Sequence, residues 1–224
     1  MPWVPIPNLS PGCMNADAAV IVFARAPLPG RAKTRLAAKL GAWGAARLQA
    51  RLTERALQTA IAARCGPAEL HGTPRASHPF FQRLRRRYAI ALRKQSGGDL
   101  GERMHRALRA ALRRHRYALL IGVDAPELRA VDLRRALRLL RSGCDVVLAP
   151  AEDGGYALIA CRRAPRPIFE RIDWGGNEVH SQTVERLARL RLRWRALRTV
   201  WDVDRPADVE RLRQRRLFLT PAAS

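Results

Sequence analysis

The chain has 224 residues and carries 42 Lys+Arg against 19 Asp+Glu, a formal net charge of +23. That length holds one α/β domain with a full core, and no apolar run approaches the roughly 18 residues that a membrane helix needs. Four widely spaced cysteines, Cys13, Cys65, Cys144 and Cys161, form no C-x-x-C pair and stand at no ligand spacing from a histidine, which argues against a zinc site or a disulfide framework and for a reducing, cytoplasmic setting.

Residues 1–17 hold Pro2, Pro5, Pro7 and Pro11 without a basic start or an apolar core, and read as a flexible N-terminal arm rather than a signal peptide. A domain is expected over 18–216 and a short tail over 217–224. Within the domain, residues 18–23 form an apolar strand. Residues 34–40 and 45–64 read as helix, broken at Gly41 and Gly44. A short strand at 68–72, a basic helix at 79–87 and a strand at 88–92 follow. Residues 100–116 form an amphipathic helix, with Met104, Leu108, Ala111 and Leu112 on one side and arginines largely on the other. The continuous apolar run 117–123 is a strand buried on both faces. Then come a helix at 132–141, strands at 144–148 and 155–161, a helix at 182–190, a short edge strand at 194–197 and a helix at 206–215. Strands alternating with helices predict an α/β fold, Rossmann-like, with a mostly parallel central sheet covered by helices on both faces.

The charge invites a polyanion partner, but its distribution tempers that reading. Every cation except Lys33, Lys39 and Lys94 is arginine, and the arginines spread over many helix faces. No recognition motif or aromatic stacking pattern accompanies them, so no specific nucleic-acid or membrane partner is expected.

The segment from Arg25 to Leu36 is the strongest local signal. A strand, a Pro/Gly loop with cations and a helix start is where α/β proteins hold phosphate groups, here with Arg25, Arg31, Lys33 and Arg35 as full charges. A solvated basic loop is the plainer reading. Asp124 follows a buried strand, at the edge where open α/β sheets bind ligands. It reads as a divalent-cation ligand or as a turn aspartate. Asp202 and Asp204 share a face if their segment is extended, and Asp204 is also placed to cap the helix beginning at Pro206. Asp153-Gly154-Gly155-Tyr156 is a turn signal, or a tight loop whose glycines admit a substrate touched by Asp153 or Tyr156. Gln95 to Met104 is a Gly-rich loop opening a helix, with Asp99 as a natural N-cap.

Together these segments resemble the GT-A superfamily, the nucleotide-diphospho-sugar transferase fold. Within it the chain is similar to a bacterial family of glycosyltransferase-like, or selenium-domain-associated, transferases. Six segments carry the likeness in order: 26–36, 95–104, 122–128, 153–156, 174–183 and 202–206. The resemblance implies a metal-dependent transferase that takes a nucleotide or nucleotide-sugar donor and an unidentified small-molecule acceptor. It implies a donor held by Arg25, Pro29, Gly30, Lys33 and Arg35 with Gln95 and Asp99. Mg²⁺ or Mn²⁺ would sit on Asp124, with Asp202 and Asp204 as further acidic contacts. Asp153 is the candidate general base beside Lys33 as the catalytic cation, and Gly154, Gly155, Tyr156 and Trp174 shape the acceptor side. Lys33-Thr34-Arg35-Leu36 also resembles the 2-phospholactate guanylyltransferases, which keeps nucleotidyl transfer open beside glycosyl transfer. A nucleotide-binding protein without turnover is the third reading. The sequence departs from the family pattern at Val123, Ala125 and Arg205, where a small hydroxyl residue, a cysteine and a threonine are expected.

Overall fold

The computed structural model describes residues 16–215. Nearly all of the expected arm and the whole of the expected tail lie outside the described residues. Seven strands form one sheet in the order β3-β2-β1-β4-β6-β5-β7. They are β1 (Ala18–Arg25), β2 (Ala68–Thr73), β3 (Ala91–Lys94), β4 (Tyr117–Ile121), β5 (Val146–Pro150), β6 (Tyr156–Cys161) and β7 (Trp194–Ala196). All run parallel except β6, which pairs antiparallel with β4 and β5. The helices are α1 (Ala37–Ala63), α2 (Pro79–Tyr88), α3 (Leu100–Leu112), α4 (Ala130–Arg141), α5 (Val179–Arg189) and α6 (Pro206–Gln214), with 3-10 turns at Thr34–Leu36 and Arg166–Phe169. Among the described residues no helix is long and apolar enough to cross a membrane.

The period-two side-chain alternation of β1 divides it between two cores. Ala18, Val20, Val22 and Ala24 join α1, α2 and α4 through Leu57, Phe81, Leu133 and Leu137. Ala19, Ile21 and Phe23 join α3 and α5 through Met104, Leu108 and Leu187. Burial on both faces is why β1 and β4 read as unbroken apolar runs. A third cluster joins Leu36, Ala45 and Leu52 to Trp201, Val203, Val209 and Leu212. It fastens residues 200–204 to the start of α1.

Several expected boundaries move: β1 runs on to Arg25, β4 ends at Ile121 rather than 123, β5 spans Val146–Pro150 rather than 144–148, and α5 starts at Val179 rather than 182. The helix over 79–87 continues to Tyr88, whose hydroxyl donates to Glu54 Oε1 at 2.7 Å. Ala89 closes it in the left-handed region at φ 50°, so β3 starts at Ala91 rather than at 88. Helix α3 stops at Leu112 instead of running to 116. The break expected at Gly41 is a kink at φ 67° inside α1.

Two buried carboxylates hold the sheet edges to their surroundings. Glu69 on β2 receives Arg93 Nε at 2.8 Å and Arg114 Nη2 at 2.7 Å. Asp145, at the foot of β5, receives Arg162 Nε at 2.8 Å, Arg163 Nε at 3.0 Å and the Arg193 amide at 2.9 Å. Burial alone would raise both pKa values. The hydrogen bonds, from His71 and the arginines on Glu69 and from Arg163, Arg193 and Arg162 on Asp145, overcome it and hold each carboxyl at about 2. A carboxyl depressed on folding stabilises the fold above its unfolded pKa and loses that contribution as pH falls. Stability followed by urea unfolding is therefore expected to fall by about 3 kcal/mol between pH 5 and pH 2. A flat profile over that window would contradict the assignment.

Candidate functional site

Chain direction diverges between β1 and β4: the chain steps from β1 outward to β2 and β3, then returns to place β4 on the other side of β1. A crevice opens at the carboxyl ends of strands at such a point. Three segments converge there: loop 26–33 after β1, residues 122–128 after β4, and residues 200–204 before α6. The amide of Val203 donates to the Asp124 carbonyl at 2.8 Å, so the second and third are tied through backbone.

Lys33 joins all three. Its Nζ lies 2.8 Å from Asp124 Oδ1, and it also donates to the Val203 carbonyl. The lysine side chain is only 6% exposed, whereas that of Asp124 is 51% exposed. Lys33 adopts φ 50°, ψ 45°, a left-handed conformation that costs a non-glycine residue energy. That backbone aims the ammonium inward, under the loop, rather than out with the neighbouring exposed arginines.

The first loop uses some of its amides on itself. The N–H groups of Arg31 and Ala32 both donate to the Leu28 carbonyl at 3.0 Å. A 3-10 turn, not a full helix, follows, and the Gly41 kink limits the aligned run of peptide dipoles. Side-chain cations therefore outweigh the helix end in this loop. Gly30, at φ 72°, faces open space where a Cβ would stand, next to Pro29. Gly122 at the end of β4 is equally open. Arg25 is exposed, with Nη1 3.4 Å from the Arg31 carbonyl.

The two late aspartates part company. Asp204 turns outward to pair with Arg35. It does not cap α6, as its position before Pro206 allowed; Asp208 does that, accepting the amides of Asp204 at 2.9 Å and Arg205 at 2.6 Å. Asp202 is half-buried, within electrostatic reach of Asp153, Asp208 and Lys33. Burial, then the Asp153 carboxylate, push its pKa up to about 6 against the lowering effects of its own backbone amide and, more weakly, of Lys33. Asp153 comes close because its loop is stitched to the late segment: Val200 N donates to the Pro150 carbonyl at 2.8 Å and Glu152 N to the Val200 carbonyl at 3.0 Å.

Gln95 and Asp99 have structural employment. The Gln95 side-chain amide donates to the carbonyls of Ala24 at 3.2 Å and His71 at 2.8 Å, tying off β1 and β2. Asp99 caps α3, accepting the Glu102 amide at 2.7 Å. Val123 is buried in the first core, so the residue that replaces the expected hydroxyl faces the interior.

On the other flank, Asp153 Oδ1 accepts the Gly155 amide at 2.8 Å, and the Gly154 carbonyl accepts the His180 amide at 2.8 Å. Tyr156 and Trp174 meet edge to face with ring centroids 6.4 Å apart. Their polar atoms, Tyr156 Oη and Trp174 Nε1, are buried rather than open to the crevice. Trp174 lies against Gly101, where a Cβ would come within 2.5 Å of Nε1. Beside it is a recess of about 360 Å³ lined by Asp99, Glu102, His105, Arg166, Phe169, Glu170 and Arg171. His105 and Arg166 gave no signal in the sequence, because only the fold brings the second 3-10 turn to the start of α3. Gly154 sits at φ +88° with its missing Cβ 1.8 Å from the Asn177 carbonyl oxygen. Gly154→Ala is expected to cost about 2 kcal/mol or more in unfolding free energy, read by denaturant unfolding; an unchanged midpoint would mean that the two loops are not in contact.

Among the described residues no three His, Cys, Asp or Glu side chains gather into a metal cage. The residues present still suit a hard cation. Asp124 is half exposed with a single oxygen on Lys33, and Asp202 is a half-buried carboxylate with the Asp153 carboxylate in electrostatic reach. Mg²⁺ and Mn²⁺ need one or two carboxylates when phosphates and waters supply the rest.

Residues 56–176 match the bacterial family described as "Uncharacterized protein conserved in bacteria (DUF2064)". This chain belongs to the DUF2064 family. No curated protein matches it. A protein from Desulfovibrio desulfuricans G20, provisionally described as a nucleotide-diphospho-sugar transferase, superposes with a TM-score of 0.78 at 30% identity, covering 85% of this chain and 84% of that one. A nucleotidyl transferase from Methanothermobacter shares the fold at TM-score 0.59 and 14% identity, over 92% of this chain and all (100%) of the other. Glucosyl-3-phosphoglycerate synthase from Mycobacterium tuberculosis, solved with Mn²⁺, UDP and glucosyl-3-phosphoglycerate, shares it at TM-score 0.53 and 12% identity, over 90% of this chain and 77% of the other. The DUF2064 chain thus has the GT-A-like α/β fold.

Proposed function

We propose that this DUF2064 protein is a transferase that binds a nucleotide-activated donor at the carboxyl ends of β1 and β4, with glycosyl transfer from a nucleotide-diphospho-sugar as its reaction. The observation that carries the reading is the convergence of Lys33, Asp124 and the Asp202 segment on one crevice, the Lys33 ammonium 2.8 Å from Asp124 Oδ1. A buried lysine beside an exposed carboxylate is a place for a diphosphate and its counter-cation. The description of the Desulfovibrio protein favours a sugar donor.

Lys33 would neutralise charge that develops on the departing nucleoside diphosphate, with Arg25 at the loop entrance. Asp124 and Asp202 would hold Mg²⁺ or Mn²⁺, which when bound screens the diphosphate charge. Arg35 reaches the phosphates only by leaving Asp204. The open positions at Gly30 and Gly122 let the donor approach the backbone. Asp153 has one oxygen engaged by Gly155 and the other available to take the acceptor proton. Gly154 and Gly155 let the Asp153 loop pack tightly against Asn177 and α5, while Tyr156 and Trp174 would shape the acceptor side by packing.

Nucleotidyl transfer is the second reading, favoured by the shared fold of the Methanothermobacter transferase. A thermal-shift panel of nucleoside triphosphates and nucleotide sugars, with and without Mn²⁺, separates the two. A Mn²⁺-dependent shift by one UDP- or GDP-sugar is expected. A shift by GTP or CTP alone would move the assignment to nucleotidyl transfer, and no shift with a folded sample would overturn both.

A further inference from the structure

We propose that Lys33 and the divalent cation exclude each other at Asp124, so that Lys33 must leave the carboxylate before metal binds, and donor phosphate is what draws it away. The inference rests on the functional reading above and adds an order of events to it.

The geometry leaves the ammonium little freedom. Lys33 Nζ is bonded to Asp124 Oδ1 and to the Val203 carbonyl, and its side chain is nearly closed off from solvent. A cation bound to the Asp124 carboxylate meets that ammonium at contact range, where like charges in a partly desolvated site repel strongly. The site thus carries a resident positive charge.

The conformation of Lys33 points the same way. The described chain has five non-glycine residues at positive φ. Arg64 and Ala89 close helices α1 and α2, an ordinary use of that region. Lys33 closes no helix; it stands before the 3-10 turn with its left-handed backbone aiming a charge at a carboxylate. A non-glycine residue in this region carries a conformational cost that its two bonds to Asp124 and Val203 offset. Phosphate oxygens entering over the open Gly30 and Gly122 positions offer the ammonium a new partner, and the Asp124 carboxylate, relieved of the adjacent ammonium charge, then accepts metal. Metal and donor would bind cooperatively for that reason, each raising the affinity of the other by the same factor.

The test uses Mn²⁺ alone, titrated into the full chain and followed by the electron paramagnetic resonance of free Mn²⁺. Wild type and Lys33→Arg are expected to bind weakly and alike. Lys33→Met is expected to bind Mn²⁺ at least ten-fold more tightly, and adding Asp124→Asn to it should abolish the gain. Equal or weaker binding by Lys33→Met would overturn the proposal. A second readout needs no variant. Lys33 is one of three lysines, with Lys39 and Lys94, so acetic anhydride labelling read by mass spectrometry resolves each. Saturating Mn²⁺ is expected to speed acetylation of Lys33 relative to the other two; an unchanged ratio would contradict the exclusion. If Lys33→Met gains no Mn²⁺ affinity but a nucleotide sugar still gives its Mn²⁺-dependent shift, the exclusion falls and the function stands. The reverse pair of results removes the function and leaves the exclusion.

Discussion

Asp124→Asn is expected to abolish the Mn²⁺ dependence of donor binding and to lower transfer by about 10³-fold, the scale seen when one preorganised charge-stabilising group is lost. The substitution keeps a side-chain oxygen for Lys33 and removes the charge. Asp124 sits half exposed on a loop, and its backbone carbonyl, not its side chain, anchors Val203. The melting temperature is therefore expected to stay within a few degrees of wild type. Donor titrations by calorimetry with and without Mn²⁺ read the effect. Retained metal dependence in a folded variant would remove Asp124 from its role.

Asp145→Ala is expected to be the most damaging single change to stability outside the apolar core, costing about 3–5 kcal/mol. The Asp145 side chain is 1% exposed and gathers Arg162, Arg163 and the Arg193 amide. Its loss leaves the Arg193 amide and two partly exposed guanidinium groups without their acceptor, at the place where β5 meets β7. Urea unfolding measures the cost. A loss below about 1 kcal/mol, the level of an exposed pair, would show that the cluster is solvated. Donor binding should survive in the folded fraction, because β5 begins at the edge of the sheet opposite to the site.

The fold was legible because β1 and β4 are apolar on both faces and the helices keep a stripe such as Met104, Leu108 and Ala111. The parts that were not legible depend on contacts between distant segments. Nothing local marks Tyr88 as helical; its hydroxyl bond to Glu54 and the left-handed Ala89 decide it. Asp202 and Asp204 look equivalent in sequence, yet the Val203 tie to Asp124 and the Asp208 cap send their carboxylates to different partners. Lys33 stood out by composition, as one of three lysines. Its bond to Asp124 is a product of the sheet order, which lays the β1 and β4 loops side by side. Trp174 buries Nε1 against Gly101, a contact between distant segments. A glycine at the first turn of a helix carries no hint of a partner so far along the chain.

The most direct test of the donor site is a crystal soaked with the nucleotide sugar that shifts melting most, in the presence of Mn²⁺. The account predicts a diphosphate within hydrogen-bonding distance of Lys33 Nζ and an anomalous Mn²⁺ peak between that diphosphate and Asp124. A nucleotide bound elsewhere, with the Lys33–Asp124 pair unchanged, would contradict it.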